Sequence, residues 1–517
     1  MLKLNSQKGT LLIIGYAIVA ILIIVGAGFL LVAVTENKSA QIKRMQTESY
    51  YLAEGGLEDA IFQFTRALSN YQPAPTSGSS ASMNSTFTIA AIGNQYTQSN
   101  PEGTTSLVQN YHITVEAVHP ESSAIKAVIH QVIARKLTPV FQFAVFYDQD
   151  LEILPGAQML PLGRIHCNSN IYLGAETGVT LTLNSDYVHA VGDIYRARKD
   201  TTRSMNGTVD IKVAGSTPTQ YQEMTLSPLL DSTDPDWEDV SQTTWNGTVK
   251  SGVHGITSIV PPQVGSTEPD GFFDNNADLK IKNNHAYNNA GADITGFLPS
   301  GTIAEHSLYN NREQKWVKVT DVDMGRLNSS IYFPNNGLLY ATRSDASTSS
   351  PNGIRFTNGT TLNAGLTVVT NDPVYIKGDY NNTNKKPASI ICDSLNLLSN
   401  NWNDSNSNKS LSSRVATNTT INAAFISGAY QTQSGVYNGG LENYPRFLEN
   451  WTGKTLNMKM SFVNIWNSSI ALGLWQYGDP QYTAPIRNWE YDSDFDDVNK
   501  LPPFCPRVIE IVRIARW

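Results

Sequence analysis

Hydrophobic and polar positions divide the chain into three textures. Residues 9 to 35, GTLLIIGYAIVAILIIVGAGFLLVAVT, carry no charge. That run is long enough to cross a bilayer, which needs about 20 apolar residues. It is apolar on every side, unlike a helix of a globular core. A secretory signal has a shorter apolar region, about 7–15 residues, with a small-residue cleavage site behind it. Here the polar stretch ENKSAQIKRMQTESYYLAEGGLEDAIFQFTRAL follows instead. Within it Ile42, Met45, Leu52, Leu57, Ile61, Phe64 and Leu68 lie close to helical spacing, and no proline precedes Pro73. The spacing predicts one helix from about residue 10 to about 69, roughly 90 Å long at ~1.5 Å per residue. Gly55 and Gly56 are expected to interrupt or bend it, because glycine weakens a helix interior.

Behind a Pro/Ser/Gly hinge, QPAPTSGSSAS, the period changes. FTIAAI, VQNYHITVEAVH and AIKAVIHQVIARKL alternate or run apolar, with HPES as a turn. They predict a small antiparallel sheet over residues 83–139, resting on the helix. From residue 140 short apolar runs are separated by Gly, Asn and Asp: FAVFY, LEILPG, VTLTLNS, YVHAVGDIY, and later LTVVTNDPVYIKGDY and PASIICDSLNLLSNN. Strands this short cannot each bury a face alone, but stacked copies share a continuous core. The expected fold class is therefore mainly β with one long N-terminal helix. Over residues 140–517 the texture favours a right-handed parallel β-helix, with a β-sandwich as the alternative. Residues 200–350, which include DSTDPDWEDV and PPQVGSTEPD, break the texture and are expected to form an insertion or long loops on one face.

Composition narrows the classes. Only 16 % of the 517 residues are charged and the net charge is -8, without the clustered Lys and Arg of a nucleic-acid footprint. Asn, Ser, Thr and Gly supply the polarity, which suits turns between short strands. The three cysteines, Cys167, Cys392 and Cys505, form no CxxC and allow one disulfide at most. The histidines show no HExxH spacing, which excludes a zinc hydrolase of that type.

Lys8-Gly9 followed by the long apolar run, together with RMQTESYYLAEGGLEDAIFQF, resembles the N-terminus of PilX-type minor pilins and of large type II secretion pseudopilins. The likeness covers about the first 65 residues. It implies that residues 1–9 are a prepilin-type leader and that a prepilin peptidase cuts between Gly9 and Thr10. Residues 10–71 would then form the transmembrane and amphipathic pilin helix. The implied partners are other pilin subunits and the inner-membrane assembly platform. The implied location is a single-pass inner-membrane precursor with an exported ectodomain, and a filament at the cell surface after assembly. Lys3 and Lys8 before the helix are balanced by Lys38, Lys43 and Arg44 behind it, so charge alone does not orient it. One position departs from the family. At the fifth mature residue, where most pilins carry Glu to neutralise a neighbour's terminal amine, this chain has Ile14. A buried unpaired charge is costly in lipid, so the departure points to a subunit at the filament tip. The series GDY…NNWND…GGLENYPRFLENW resembles ectodomains attached to PilX-like N-termini, and implies no chemistry.

Three constellations could carry chemistry. Asp492, Asp494, Asp496 and Asp497 alternate in YDSDFDDVN, a pattern of hard oxygens that suits calcium, although the Gly and closing Glu of an EF-hand are missing. Asp234, Asp236, Glu238 and Asp239 surround Trp237 without a hydrolase signature. Trp402, Trp451, Trp466, Trp475 and Trp489 crowd the last quarter, as core anchors or as a platform for sugars or surfaces. No cofactor beyond calcium is suggested. The sequence thus points to a non-enzymatic minor pilin or pseudopilin. The alternatives are a pilin-anchored adhesin and a membrane-anchored β-helix enzyme acting on polysaccharides.

Overall fold

The computed structural model describes residues 6–157, 163–200, 205–434, 436–438 and 440–517, with side chains from Gly9 onward. Most of the leader therefore lies outside the described residues. The chain is mostly β, with 38 % of residues in strands and 21 % helical, behind one long N-terminal helix.

That helix, α1, spans Ser6–Ser69 without a break. Its second half is seated: Ala53, Leu57, Ala60 and Phe64, spaced i, i+4, i+7 and i+11, are fully buried on one stripe. They pack on Phe87, Ile89, Ile113, Val115, Ile129 and Ile133. These residues come from β2 (Ser85–Ser99), β3 (Thr105–His119) and β4 (Ser122–Pro139), antiparallel neighbours with β1 (Ser77–Ser80) on the outer edge. The glycine pair does not interrupt the helix; it admits the sheet. A Cβ on Gly56 would stand 2.3 Å from Ser85 Oγ, and one on Gly55 would stand 2.5 Å from Met83 Sδ.

The fifth strand of this sheet is the end of the chain. Arg507–Arg516 pairs antiparallel with β4, placing Ile511 opposite Arg135. Everything between β4 and that strand leaves the small base and returns to it.

The intervening residues form the larger body. One twelve-stranded sheet runs through it, and each long-range neighbour pair in it is parallel. Its middle is a seam where Phe462, Val463 and Asn464 pair with Val145, Phe146 and Tyr147. From the seam the chain steps outward through Ile165–Cys167 and Val188–Ala190 to Val249–Lys250. It then crosses to the opposite end, Leu279–Lys282, and steps back through Leu338–Thr342, Leu366–Thr370, Ala388–Cys392 and Thr419–Ser427 to Thr455–Asn464. Between these visits the chain adds strands to separate walls. Gly353–Thr357, Pro373–Lys377, Ser394–Leu398 and Arg446–Phe447 lie in a six-stranded wall on one side of the seam. Leu151–Ile153, Ile171–Leu173 and Ile194–Tyr195 form a three-stranded wall on the other. Residues 205–350 supply the end strands of both arms.

Side chains from the large sheet and the walls fill one core, including Val368, Ile390, Val374, Leu395, Ile171 and Val188. The opposite face of the large sheet is covered as well: Tyr340, Val369, Ile391 and Ile426 pack on Phe141, Phe143, Phe273 and Phe495. Burial on both faces explains why these strands read as continuous apolar runs. All three cysteines are free thiols within this packing, so the allowed disulfide is not formed. Burial pushes the thiols of Cys167 and Cys505 up to about 12.

Candidate functional site: a bare helix and an aromatic, acid-lined cleft

Two places in the molecule are built for something other than their own packing. The first is the N-terminal half of α1. Every residue from Gly9 to Arg44 is exposed, including Gly9 and Thr10 at the expected cut and Ile14, which is 50 % exposed. The most apolar window of this helix has a mean hydropathy of 3.1 and no buried share, enough by length and composition to cross a membrane. In water such a surface would be expensive at ~25 cal/mol per Å², so it requires lipid or other protein around it.

The second place follows from the seam. The large sheet passes through it unbroken, but the walls do not. Among the described residues Arg446–Phe447 pairs only with Ser394–Leu398, and Leu151–Ile153 pairs only with Ile171–Leu173. Residues 428–434, 436–438 and 440–444 wedge into the resulting gap. Glu442 in this wedge is 3 % exposed, and its Oε2 accepts the Leu154 backbone N–H at 3.2 Å, just past the end of Leu151–Ile153. Beside it opens a cavity of about 380 Å³, lined from one arm by Leu154, Arg198 and Met205 and from the other by Tyr437, Trp475 and Arg487.

The aromatic wall is held in place. Trp475 Nε1 donates to Tyr482 Oη at 2.9 Å, and Tyr482 Oη donates in turn to Asn443 Oδ1. The Trp475 backbone N–H donates to Asn438 Oδ1 at 3.0 Å, and its ring meets Tyr437 edge-on at 5.2 Å between centroids. Tyr437 Oη donates to Glu442 Oε1 at 2.7 Å, and the Arg198 guanidinium lies 4.1 Å from the Tyr437 ring centroid. Arg198 itself is gripped by Asp200 through two bonds of 2.8 and 2.9 Å.

The acids here are unusual. Burial raises the Glu442 carboxyl above its ordinary range and pushes Glu152, on the neighbouring strand, up to about 7, with the Glu442 charge adding to the latter. Arg487 Nη2 donates to the Glu442 carbonyl at 3.0 Å, and burial lowers its guanidinium.

The expected calcium ligands lie elsewhere, and three of the four are paired with side-chain cations. Lys385 Nζ bonds both Asp492, at 2.5 and 2.6 Å, and Asp494, at 2.9 Å. Lys500 takes the other Asp494 oxygen at 3.0 Å, and together the two lysines hold that carboxyl down at about 2. Asp496 pairs with Arg164 at 2.7 Å, and Asp497 accepts the Asn499 backbone N–H at 2.9 Å. Among the described residues no three His, Cys, Asp or Glu side chains converge on a point that could hold a metal ion.

The second acidic knot is the start of a helix. Glu238 and Asp239 occupy the first turn of Trp237–Trp245, where negative charge suits the helix dipole, and Trp237 is buried with Nε1 donating to Ser251 Oγ at 3.0 Å. Of the five C-terminal tryptophans, Trp402, Trp451 and Trp489 are buried, and Trp466 packs partly buried against the outer core cluster. Trp475 alone lines the cleft. Sequence reasoning passed over Tyr437, Glu442 and Arg487; the usable signal was an acid and an arginine set inside otherwise apolar, aromatic runs.

No protein-family model, no curated protein and no solved structure matches this chain.

Proposed function

We propose that this chain is a minor pilin or pseudopilin of a type IV pilus or type II secretion-like filament, which initiates or caps assembly at the tip. The observation that carries this reading is the division of α1 into a bare apolar half and a half seated on a small antiparallel sheet. Such a helix is anchored in lipid as a precursor and then packs against other subunits once the leader is removed. Its partners are other pilin subunits, the inner-membrane assembly platform and a prepilin peptidase. The ectodomain then stands at the cell surface and works by contact, not by turnover. Ile14 supports the tip position, because a terminal subunit has no neighbour ahead whose amine must be neutralised.

We read the larger body as a right-handed parallel β-helix. Parallel in-register neighbours such as Val368 with Ile390, and Val374 with Leu395, support it, since the chain alternates between two stacks. An antiparallel β-sandwich has no use for such pairs. The cleft favours a second reading alongside the first, a subunit that also adheres.

The test is co-expression with a prepilin peptidase, followed by N-terminal mass spectrometry of the membrane fraction. The expected product begins at Thr10, and Gly9→Leu leaves only precursor. Normal processing of Gly9→Leu, or a wild-type chain that stays intact beside an active peptidase, overturns the pilin reading.

A further inference from the structure

The cleft beside the seam contains a guanidinium with few hydrogen bonds of its own. Other buried arginines of the body are paired or saturated. Arg355 is held by Asp321 and Asp404, and Arg446 by Glu313. Arg343 is held by Glu305 and Asp345, while Arg196 donates to four backbone carbonyls. Arg487 donates to one carbonyl, that of Glu442, and lies 5.4 Å from the Trp489 ring centroid with the Glu442 carboxyl nearby, while among the described residues its buried Nε has no hydrogen-bond partner. Its side chain lines the cavity.

A guanidinium with donors to spare suits an anion, and its planar fork matches a carboxylate with two parallel bonds. The rest of the lining calls for something else. Trp475 and Tyr437 are fixed by hydrogen bonds and edge contact, and Tyr477, 57 % exposed, stands at the lip. Rigid aromatic faces offer large contact area at little entropic cost to a flat, partly apolar ring. Asn443 and Glu442 add polar groups at the cavity wall. A small inorganic anion would leave the aromatic wall unused, and a neutral apolar ligand would leave the spare donors of Arg487 unused.

We propose that this cleft binds a carboxylate-bearing sugar of an acidic glycan, with the carboxylate on Arg487 and the ring against Trp475 and Tyr477. The volume, about 380 Å³, falls in the range of ordinary small-ligand pockets. The site depends on both arms of the body and not on the way α1 is anchored, so it stands or falls apart from the filament reading.

The experiment is a tryptophan-fluorescence titration of the full chain in detergent micelles. The probes are trisaccharides of galacturonic, glucuronic and mannuronic acid, each beside its methyl ester. At least one acid should bind saturably and its ester at least tenfold more weakly. Arg487→Gln should erase the difference between acid and ester. Tyr477→Ala, at an exposed position that folding tolerates, should weaken both several-fold while leaving their ratio intact. Failure of all three acids to bind overturns the proposal, as does equal binding of acid and ester. Displacement of the sugar by inorganic phosphate at equal concentration assigns the site to oxyanions and overturns it too.

Discussion

The base and the body of this protein solve the same problem in opposite ways. The base seats one helical stripe on a sheet whose strands alternate between inside and outside, as in β3, where buried residues come at nearly every second position. The body stacks short strands that are buried on both faces, as in Leu366–Thr370 and Ala388–Cys392. A one-faced sheet keeps most of its charges at the surface, so the base has exposed ion pairs such as Arg513 with Glu58. A two-faced sheet encloses its turns, and its charges go inside with them: Arg446, Glu313, Asp372 and Glu449 are all buried. The difference teaches where each region is vulnerable. The base depends on apolar fit, and the body depends on buried polar groups being answered.

The largest effects should separate the two. Phe64→Ala removes a fully buried ring from the base and should cost ~3–5 kcal/mol. Glu313→Gln should cost a similar ~3–5 kcal/mol in the body, because it strands a buried charge. Glu313 holds Arg446 at 2.6 Å, beside Arg312, whose guanidinium burial and the Arg446 charge already lower to about 9. Hydrogen exchange read by mass spectrometry should show loss of protection in β2–β4 for the first variant. For the second it should fall around 428–447 and 471–473. Equal loss across both regions from either variant would show one cooperative unit and end the comparison.

A smaller effect is the pH response, with opposite sign in the two regions. Burial pushes the carboxyls of Asp372 and Glu449 up to about 7, and Asp372 also feels Asp393 and Glu268 against the nearby Arg343. Between their unfolded values, 3.8 and 4.5, and about 7, the folded body holds protons that the unfolded chain has released. Its stability therefore falls as pH rises through that window, by at most ~1.4 kcal/mol per unit for each group. In the base, Glu48 is held below its ordinary value by hydrogen bonds from His119 and Arg44, so its contribution is lost as pH falls. Asp372→Asn should flatten the decline of the body's melting temperature between pH 4.5 and 7, and Glu48→Gln should not. A steeper decline in Asp372→Asn would refute the assignment.

The same contrast decides what could be read from the sequence. The seated half of α1 and β2–β4 were legible because alternation and helical period are local signals, carried within VQNYHITVEAVH or around Leu57 and Phe64. The short strands of the body were legible as strands for the same reason, and VTLTLNS contains Thr180–Leu183. Their partners were not. Phe462 pairs with Val145 across most of the ectodomain, and parallel pairing leaves no turn signal between partners. The C-terminal strand escaped for a related reason, since its partner β4 ends at Pro139 while the strand itself begins at Arg507. Gly55 and Gly56 were misjudged because their purpose is a tertiary approach by Met83 and Ser85 that no helical propensity records. The cleft was the least legible part. Its lining is drawn from both arms of the body, and only Trp475 stood out beforehand.

The smallest expected effect concerns the contacts that look most deliberate in the base. Arg513 reaches Glu58 at 2.7 Å and Arg516 reaches Glu54 at 2.5 Å, so the last strand is tied to α1 by two ion pairs. Both pairs are in solvent, with Arg513 47 % and Glu58 60 % exposed. Exposed pairs of this kind contribute ~0.2–1 kcal/mol each and are screened within a Debye length of about 8 Å at physiological salt. The strand has stronger reasons to stay: its ladder with β4, and the packing of Val508, Ile509 and Ile511. Arg513→Ala should therefore cost less than about 1 kcal/mol, and a double-mutant cycle with Glu58→Ala should return a coupling that vanishes in 1 M salt. If instead the coupling exceeded about 2 kcal/mol and survived the salt, the base would depend on answered charges as the body does. The distinction between the two regions would then fail at its own boundary, the strand where the body's chain returns to the helix.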